Sequence, residues 1–143
     1  MTRALLDVNV VIALVDPDHV DHARVHEWAR DGLSSGWASC AITQNGVVRI
    51  LSQPAYPGTV TVTEAIALLS ASIADTDHQF CACGLSLVDP DVVTPSGLLG
   101  HRQVTETYLL ALAVHRGGRF VTLDRSVPLI AVPGASEEHL TVL

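Results

Sequence analysis

Lysine is absent. All eight basic residues are arginine, set against fifteen acidic ones, for a net charge of −7. A chain with that balance does not grip nucleic acid through bulk positive charge, because binding of that kind is driven by counterions released from phosphate. It leaves open a local site in which bound metal attracts phosphate. Arginine alone suits bidentate phosphate contacts, and it suits a GC-rich coding sequence equally well. Aromatic residues make up only 4%, so a core has to be built from Val, Leu, Ile and Ala, the mix expected of strands buried on both faces. The three cysteines, Cys40, Cys81 and Cys83, include no CxxC pair, which excludes a disulfide framework. Cys81-x-Cys83 has no second pair at zinc-finger spacing and reads as small apolar filler. No apolar run approaches the roughly 20 residues that span a bilayer, and the amino terminus reads as strand with no signal segment. The expectation is a soluble, cytoplasmic protein without membrane association. Neither GxxxxGK[ST] nor GxGxxG occurs, which removes nucleotide-cofactor readings, and Ser126 has no GxSxG context for serine hydrolysis. His19, His22 and His26 fall at helical offsets but lack a fourth ligand, so they read as a solvated helix face.

What is present is apolar material, 48% of 143 residues, enough for one domain spanning 1–143. Arg3 to Asp7 reads as a first strand with a short helix after it. The turn Asp16-Pro17-Asp18-His19 leads, from Asp18 or His19, into a helix whose Val25, Trp28, Ala29 and Leu33 follow the helical period. Trp37 to Ile42 is a second strand. Thr43 is placed to cap a helix through Val47, Val48, Ile50 and Leu51 that Pro54 stops. Asn45-Gly46 resembles a hairpin turn, but no strand alternation follows it. Thr61 and Glu64 form a capping box ahead of a stripe of Ala65, Leu68, Leu69 and Ile73. His78 to Leu87 is ambiguous and leaves room for a short strand, and Asp89 to Gly100 reads as an exposed loop or a single helical turn. A helix beginning near Tyr108 ends at Gly117-Gly118, a strand follows to Asp124, and the tail around Leu140 to Leu143 supplies a last edge strand. This alternation predicts an α/β fold with a central, mostly parallel sheet and helices on both faces.

Three carboxylates stand where short apolar runs meet loops or helix starts. Asp7 follows Leu5-Leu6, Glu106 precedes the run Tyr108-Leu109-Leu110, and Asp124 ends Phe120-Val121-Thr122-Leu123. In open α/β sheets the ligand site lies outside the carboxyl ends of the strands, so acids far apart in sequence converge there, and oxygen donors of this kind suit hard divalent cations. A metal-assisted hydrolase is the reading that follows. Each acid also has a plainer role open to it: a helix N-cap for Asp7, a helix-dipole partner for Glu106, a turn residue for Asp124. Asn9 either orients Asp7 or caps the next helix.

The segments Leu5-Leu6-Asp7-Val8-Asn9, Thr43-Gln44-Asn45-Gly46-Val47-Val48-Arg49, Gly100 to Leu109 and Gly117 to Arg125 together resemble the PIN-domain ribonucleases, in particular the VapC-type toxins of bacterial toxin–antitoxin pairs. Their order and spacing cover nearly the whole chain. Two positions depart from the family pattern: Gln44 stands where a glutamate is usual, and Glu106 where an aspartate is usual. An amide can ligate or hydrogen-bond but carries no charge, whereas Glu106 keeps its charge and changes its reach. The resemblance implies a PIN-like domain hydrolysing RNA phosphodiesters, with Mg²⁺ or Mn²⁺ held by Asp7 and Glu106, and by Asp124 through an ordered water. Gln44 is the fourth member of the implied catalytic set. Arg102 and Arg125, beside two of the acids, are the candidates to meet substrate phosphates, with surface solubility as their alternative. The resemblance further implies a homodimer and a cognate antitoxin. The alternative is a catalytically weak PIN-like module that binds antitoxin or RNA. An aspartyl-phosphate phosphatase would need a second acid at position 9, which is asparagine.

Overall fold

The computed structural model describes residues 2–143. Five strands form one sheet: β1 (Ala4–Leu6), β2 (Trp37–Cys40), β3 (His78–Cys81), β4 (Arg119–Thr122) and β5 (Leu140–Val142), in the order β3-β2-β1-β4-β5. Every neighbouring pair is parallel. The strands alternate as their sequence requires. Ala4, Leu6, Trp37 and Val121 enter one core with α1 (Val8–Val15), α2 (His22–Gly32), α3 (Ala41–Leu51) and α4 (Val62–Ala74), while Leu5, Ala38, Cys40 and Phe120 enter the other with α5 (Val104–His115). The expected layers are therefore present, four helices against one.

Helix α5 is buried from Thr107 through Ala113, as a helix apolar on all sides must be. Its outer face is covered by Leu85, Val92, Leu129 and Val132. Part of that cover comes from the 89–100 stretch, which is more than an exposed loop: Val93 is buried and Thr94 N–H donates to Ala131 O at 2.7 Å. A one-turn 3₁₀ segment at Pro95–Gly97 lets Gly97 lie against the Ala131 backbone, where a Cβ would come within 2.7 Å of Ala131 Cα.

Several boundaries differ from the sequence reading. Helix α2 starts at His22 rather than at Asp18 or His19, because Asp16 Oδ1 accepts from Asp18 N–H at 3.0 Å and His19 Nδ1 accepts from Asp21 N–H at 3.0 Å, which holds the turn for several more residues. Helix α3 starts at Ala41, so Thr43 is its third residue and not its cap. From there Thr43 Oγ1 reaches back to accept from Cys40 N–H at 2.9 Å. The capping box at Thr61 and Glu64 forms as expected. The ambiguous segment does contain a strand, β3, and the tail pairs with β4 as the edge strand β5.

Gly46 sits inside α3 against α1: a Cβ there would fall 2.7 Å from Val8 Cγ2. Gly46→Ala gains about 1 kcal/mol of helix propensity, but Val8 is β-branched and has little freedom to retreat, and overpacking of this kind costs about 1–3 kcal/mol. The net expectation is a loss of about 1 kcal/mol, read as a lower urea midpoint at unchanged slope. A midpoint at or above that of the wild type would show that α1 and α3 can separate freely.

Candidate active site

The sheet order reverses between β1 and β4. Successive strands run outward from β1 through β2 to β3, and then from β4 to β5 on the opposite side. The crevice outside the carboxyl ends at such a switch point is where open α/β sheets bind ligand, and two of the three acids stand there. Asp7 continues the β1–β4 ladder, its N–H donating to Val121 O at 2.9 Å. It is also the N-cap of α1, with Oδ1 accepting from Val8 N–H at 2.7 Å. The capping role and the candidate site role thus fall on one side chain, only 3% exposed.

Its second oxygen, Oδ2, accepts from Thr122 Oγ1 at 2.6 Å, and the same hydroxyl oxygen accepts from Asp124 N–H at 3.0 Å. Thr122, fully buried at the end of β4, therefore ties Asp7 to the loop that carries Asp124. Asn9, the second residue of α1 and so not its cap, supports the same loop by accepting from Leu123 N–H at 3.3 Å. Asp124 lies two residues beyond β4. Its Oδ1 accepts from Ser126 N–H and Ser126 Oγ at 2.8 and 2.7 Å, the turn role weighed from the sequence. Glu106 is the third residue of α5 rather than a residue ahead of it. Gln103, just before α5, accepts from Leu99 N–H at 2.8 Å and donates to Ser126 O at 3.0 Å, strapping the start of α5 to the Asp124 loop.

Asp7 and Glu106 each feel neighbouring acids. Burial pushes the Asp7 carboxyl up, against the lowering effect of its bonds from Thr122 and Val8, and the Asp124 charge raises it further. Burial also raises Glu106, and the charges of Asp7 and Asp124 add to that. Among the described residues no arginine or histidine pairs with any of the three. Carboxylates raised chiefly by burial, with a neighbouring negative charge adding to it, and lacking a counter-cation among the described residues form a donor set suited to a hard divalent ion. Among the described residues no group of three His, Cys, Asp or Glu side chains forms a ready protein cage for metal. Both Asp7 oxygens already accept hydrogen bonds, so the fit is to a hydrated ion taking one or two carboxylates directly, as Mg²⁺ commonly does.

Gln44 is not brought into hydrogen-bond contact with these acids. Its amide donates to Ser39 Oγ of β2 at 3.0 Å, and it lines a groove between α3 and α4. Arg102, in the 3₁₀ turn His101–Gln103, and Arg125, next to Asp124, are both exposed, and among the described residues neither makes a hydrogen bond or ion pair. The Gln103–Ser126 bond holds their two segments together. The sequence reading missed Thr122 and Gln103. A hydroxyl closing an otherwise apolar strand was the available sign of Thr122; Gln103 gave none, since it acts through loop partners distant in sequence.

The five-stranded parallel sheet with helices on both faces is the PIN-like α/β domain that the resemblance implies. No protein-family model matches the chain. It is 53% identical over 141 residues to Ribonuclease VapC44 of Mycobacterium tuberculosis, covering 99% of each chain, and 41% identical over 143 residues to Ribonuclease VapC38 of the same species, covering 98% of this chain and 99% of the other. The chain belongs to the VapC ribonuclease family. The fold also matches a solved structure described as VapBC2 from Rickettsia felis bound to a DNA fragment from their promoter, with a TM-score of 0.62 at 9% identity over 98% of both chains.

Proposed function

We propose that this protein is a metal-dependent endoribonuclease that hydrolyses RNA phosphodiesters, acting in the cytoplasm as the toxin of a type II toxin–antitoxin pair. The observation that carries the reading is the nearness of Glu106 to Asp7 and Asp124, which stand at the switch point: burial and the neighbouring charges raise the Asp7 and Glu106 carboxyls, and among the described residues none of the three has a cationic partner. The names of the full-length relatives support RNA as substrate, and the VapBC2 complex supports a protein antitoxin as partner.

Asp7 and Glu106 would hold Mg²⁺ or Mn²⁺ directly, and Asp124 through an ordered water. The chemistry such an ion supplies is polarisation of the phosphodiester and a lowered pKa for the attacking water. Thr122 and Val8 N–H fix the Asp7 carboxylate in place, and Gln103 fixes the loop of Asp124, so little reorganisation remains at the moment of reaction. Arg102 and Arg125 meet the substrate phosphates, as exposed guanidinium groups without competing partners among the described residues. The homodimer belongs to the same proposal.

A second reading is favoured by one specific observation. Residue 44 is a neutral amide bonded to Ser39 rather than an acid among the other three, which fits a catalytically weak module that binds antitoxin or RNA. Expression in a bacterial host separates the two. On the ribonuclease reading the protein alone arrests growth, the adjacent small gene relieves the arrest, and Asp7→Asn abolishes toxicity. Equal toxicity of wild type and Asp7→Asn would establish the binding module instead.

A further inference from the structure

Gln44 is the end of a relay that runs through a buried serine. Its Nε2 donates to Ser39 Oγ at 3.0 Å, and Ser39 Oγ lies 2.7 Å from His78 Nε2 on the neighbouring strand β3. Ser39 is only 1% exposed, so water does not compete for its hydroxyl. A serine hydroxyl has one proton to give. With the Gln44 amide donating to the oxygen, that proton is available to His78 Nε2, which accepts it as a neutral ring with its own proton on Nδ1. The surroundings favour the uncharged ring: burial, then the Arg3 charge, hold its pKa below the ordinary value. The ring itself is held in place against Trp37, the two ring centroids 4.5 Å apart in an edge-to-face arrangement, while Trp37 Nε1 donates to Thr76 Oγ1 at 2.7 Å.

With the polarity in which the Gln44 amide donates, the relay distinguishes the two ends of that amide. An amide can turn end over end at little cost unless a partner distinguishes its nitrogen from its oxygen. We propose that Ser39 and His78 are positioning residues that pin the Gln44 nitrogen inward, so that its Oε1 faces the groove between α3 and α4 as an acceptor for a water or a hydroxyl of the RNA substrate. The inference rests on the ribonuclease reading for what the acceptor serves, but the polarity itself does not depend on catalysis.

The sharpest variant is Gln44→Glu. A carboxylate only accepts, so the Ser39 proton turns toward it and the Ser39 oxygen becomes an acceptor for His78. His78 must then donate from Nε2. The expected result is a change in the protonated nitrogen, read by long-range nitrogen–proton NMR of the imidazole: Nδ1–H in the wild type and Nε2–H in Gln44→Glu, with His78→Gln assigning the signal. A wild type already protonated on Nε2, or the same nitrogen protonated in both proteins, overturns the relay. In the cleavage assay Ser39→Ala should lower kcat about threefold to tenfold at unchanged KM, the effect of losing one neutral hydrogen bond. Unchanged kcat and KM in that variant would overturn the positioning role. The NMR is read without substrate, so a wild type that cleaves no RNA while showing the expected tautomers overturns the ribonuclease reading and leaves the relay standing.

Discussion

Asp7→Asn is expected to lower RNA cleavage by about two to three orders of magnitude, the usual loss when one preorganised electrostatic group is removed from an active centre. The fold should survive. Asparagine is as good an N-cap as aspartate, so its oxygen can still accept from Val8 N–H, and Thr122 keeps a polar neighbour. The same substitution should raise the thermal midpoint of the metal-free protein at neutral pH. The sign follows from linkage. Burial and the Asp124 charge raise the Asp7 carboxyl above its ordinary value of 3.8, so the folded protein holds that proton more tightly than the unfolded chain does. Stability is then lost as pH climbs from the ordinary value through the raised one, and the loss is complete above it. An amide carries no such penalty. The gain should vanish on acidification below the ordinary carboxylate value, where Asp7 is protonated in both states. Unimpaired cleavage by folded Asp7→Asn would remove this residue from the site.

Glu106→Gln is expected to weaken Mn²⁺ binding by more than about 10- to 100-fold, since that range is already the effect of losing an outer partner of a metal ligand. Its pH dependence gives a second reading. Metal must displace the protons that Asp7 and Glu106 hold at raised pKa values. Wild-type affinity should therefore rise with pH from the ordinary carboxylate range up through the raised values and level off above them. In Glu106→Gln one fewer proton is displaced, and the rise should be shallower. Calorimetric titration at several pH values tests both. Equal affinity and an equal slope would leave Glu106 as a residue that only complements the α5 dipole.

The sequence made the backbone of this arrangement legible and much of its wiring not. Asp7 could be placed because Ala4-Leu5-Leu6 is too apolar to lie anywhere but in the sheet, and Asp124 because Phe120-Val121 is equally so. β3 was ambiguous because it is an edge strand whose Gln79 and Phe80 are exposed, so no alternation marks it. The start of α5 was hidden by Thr105 and Thr107, poor helix formers drawn into the helix by burial of Thr107 and the residues after it. Gln44 was singled out for its missing charge, but its bond to Ser39 and through it to His78 depends on the β2–β3 register, which brings residues 39 and 78 together. Local sequence holds no trace of that pairing. Gln103 was missed for the same reason, since it joins segments that only the closed fold makes neighbours, whereas Thr122 carried one local sign, a hydroxyl closing an apolar strand.

The most direct test of the central claim, that Asp7, Glu106 and Asp124 form a divalent-metal centre for RNA hydrolysis, is cleavage of mixed cellular RNA by the EDTA-stripped wild-type protein with and without Mn²⁺ returned. The account predicts no cleavage in EDTA and recovery that saturates as Mn²⁺ fills the site, with no recovery in Asp7→Asn. Cleavage at the full rate in EDTA, or equal recovery in the variant, would contradict it.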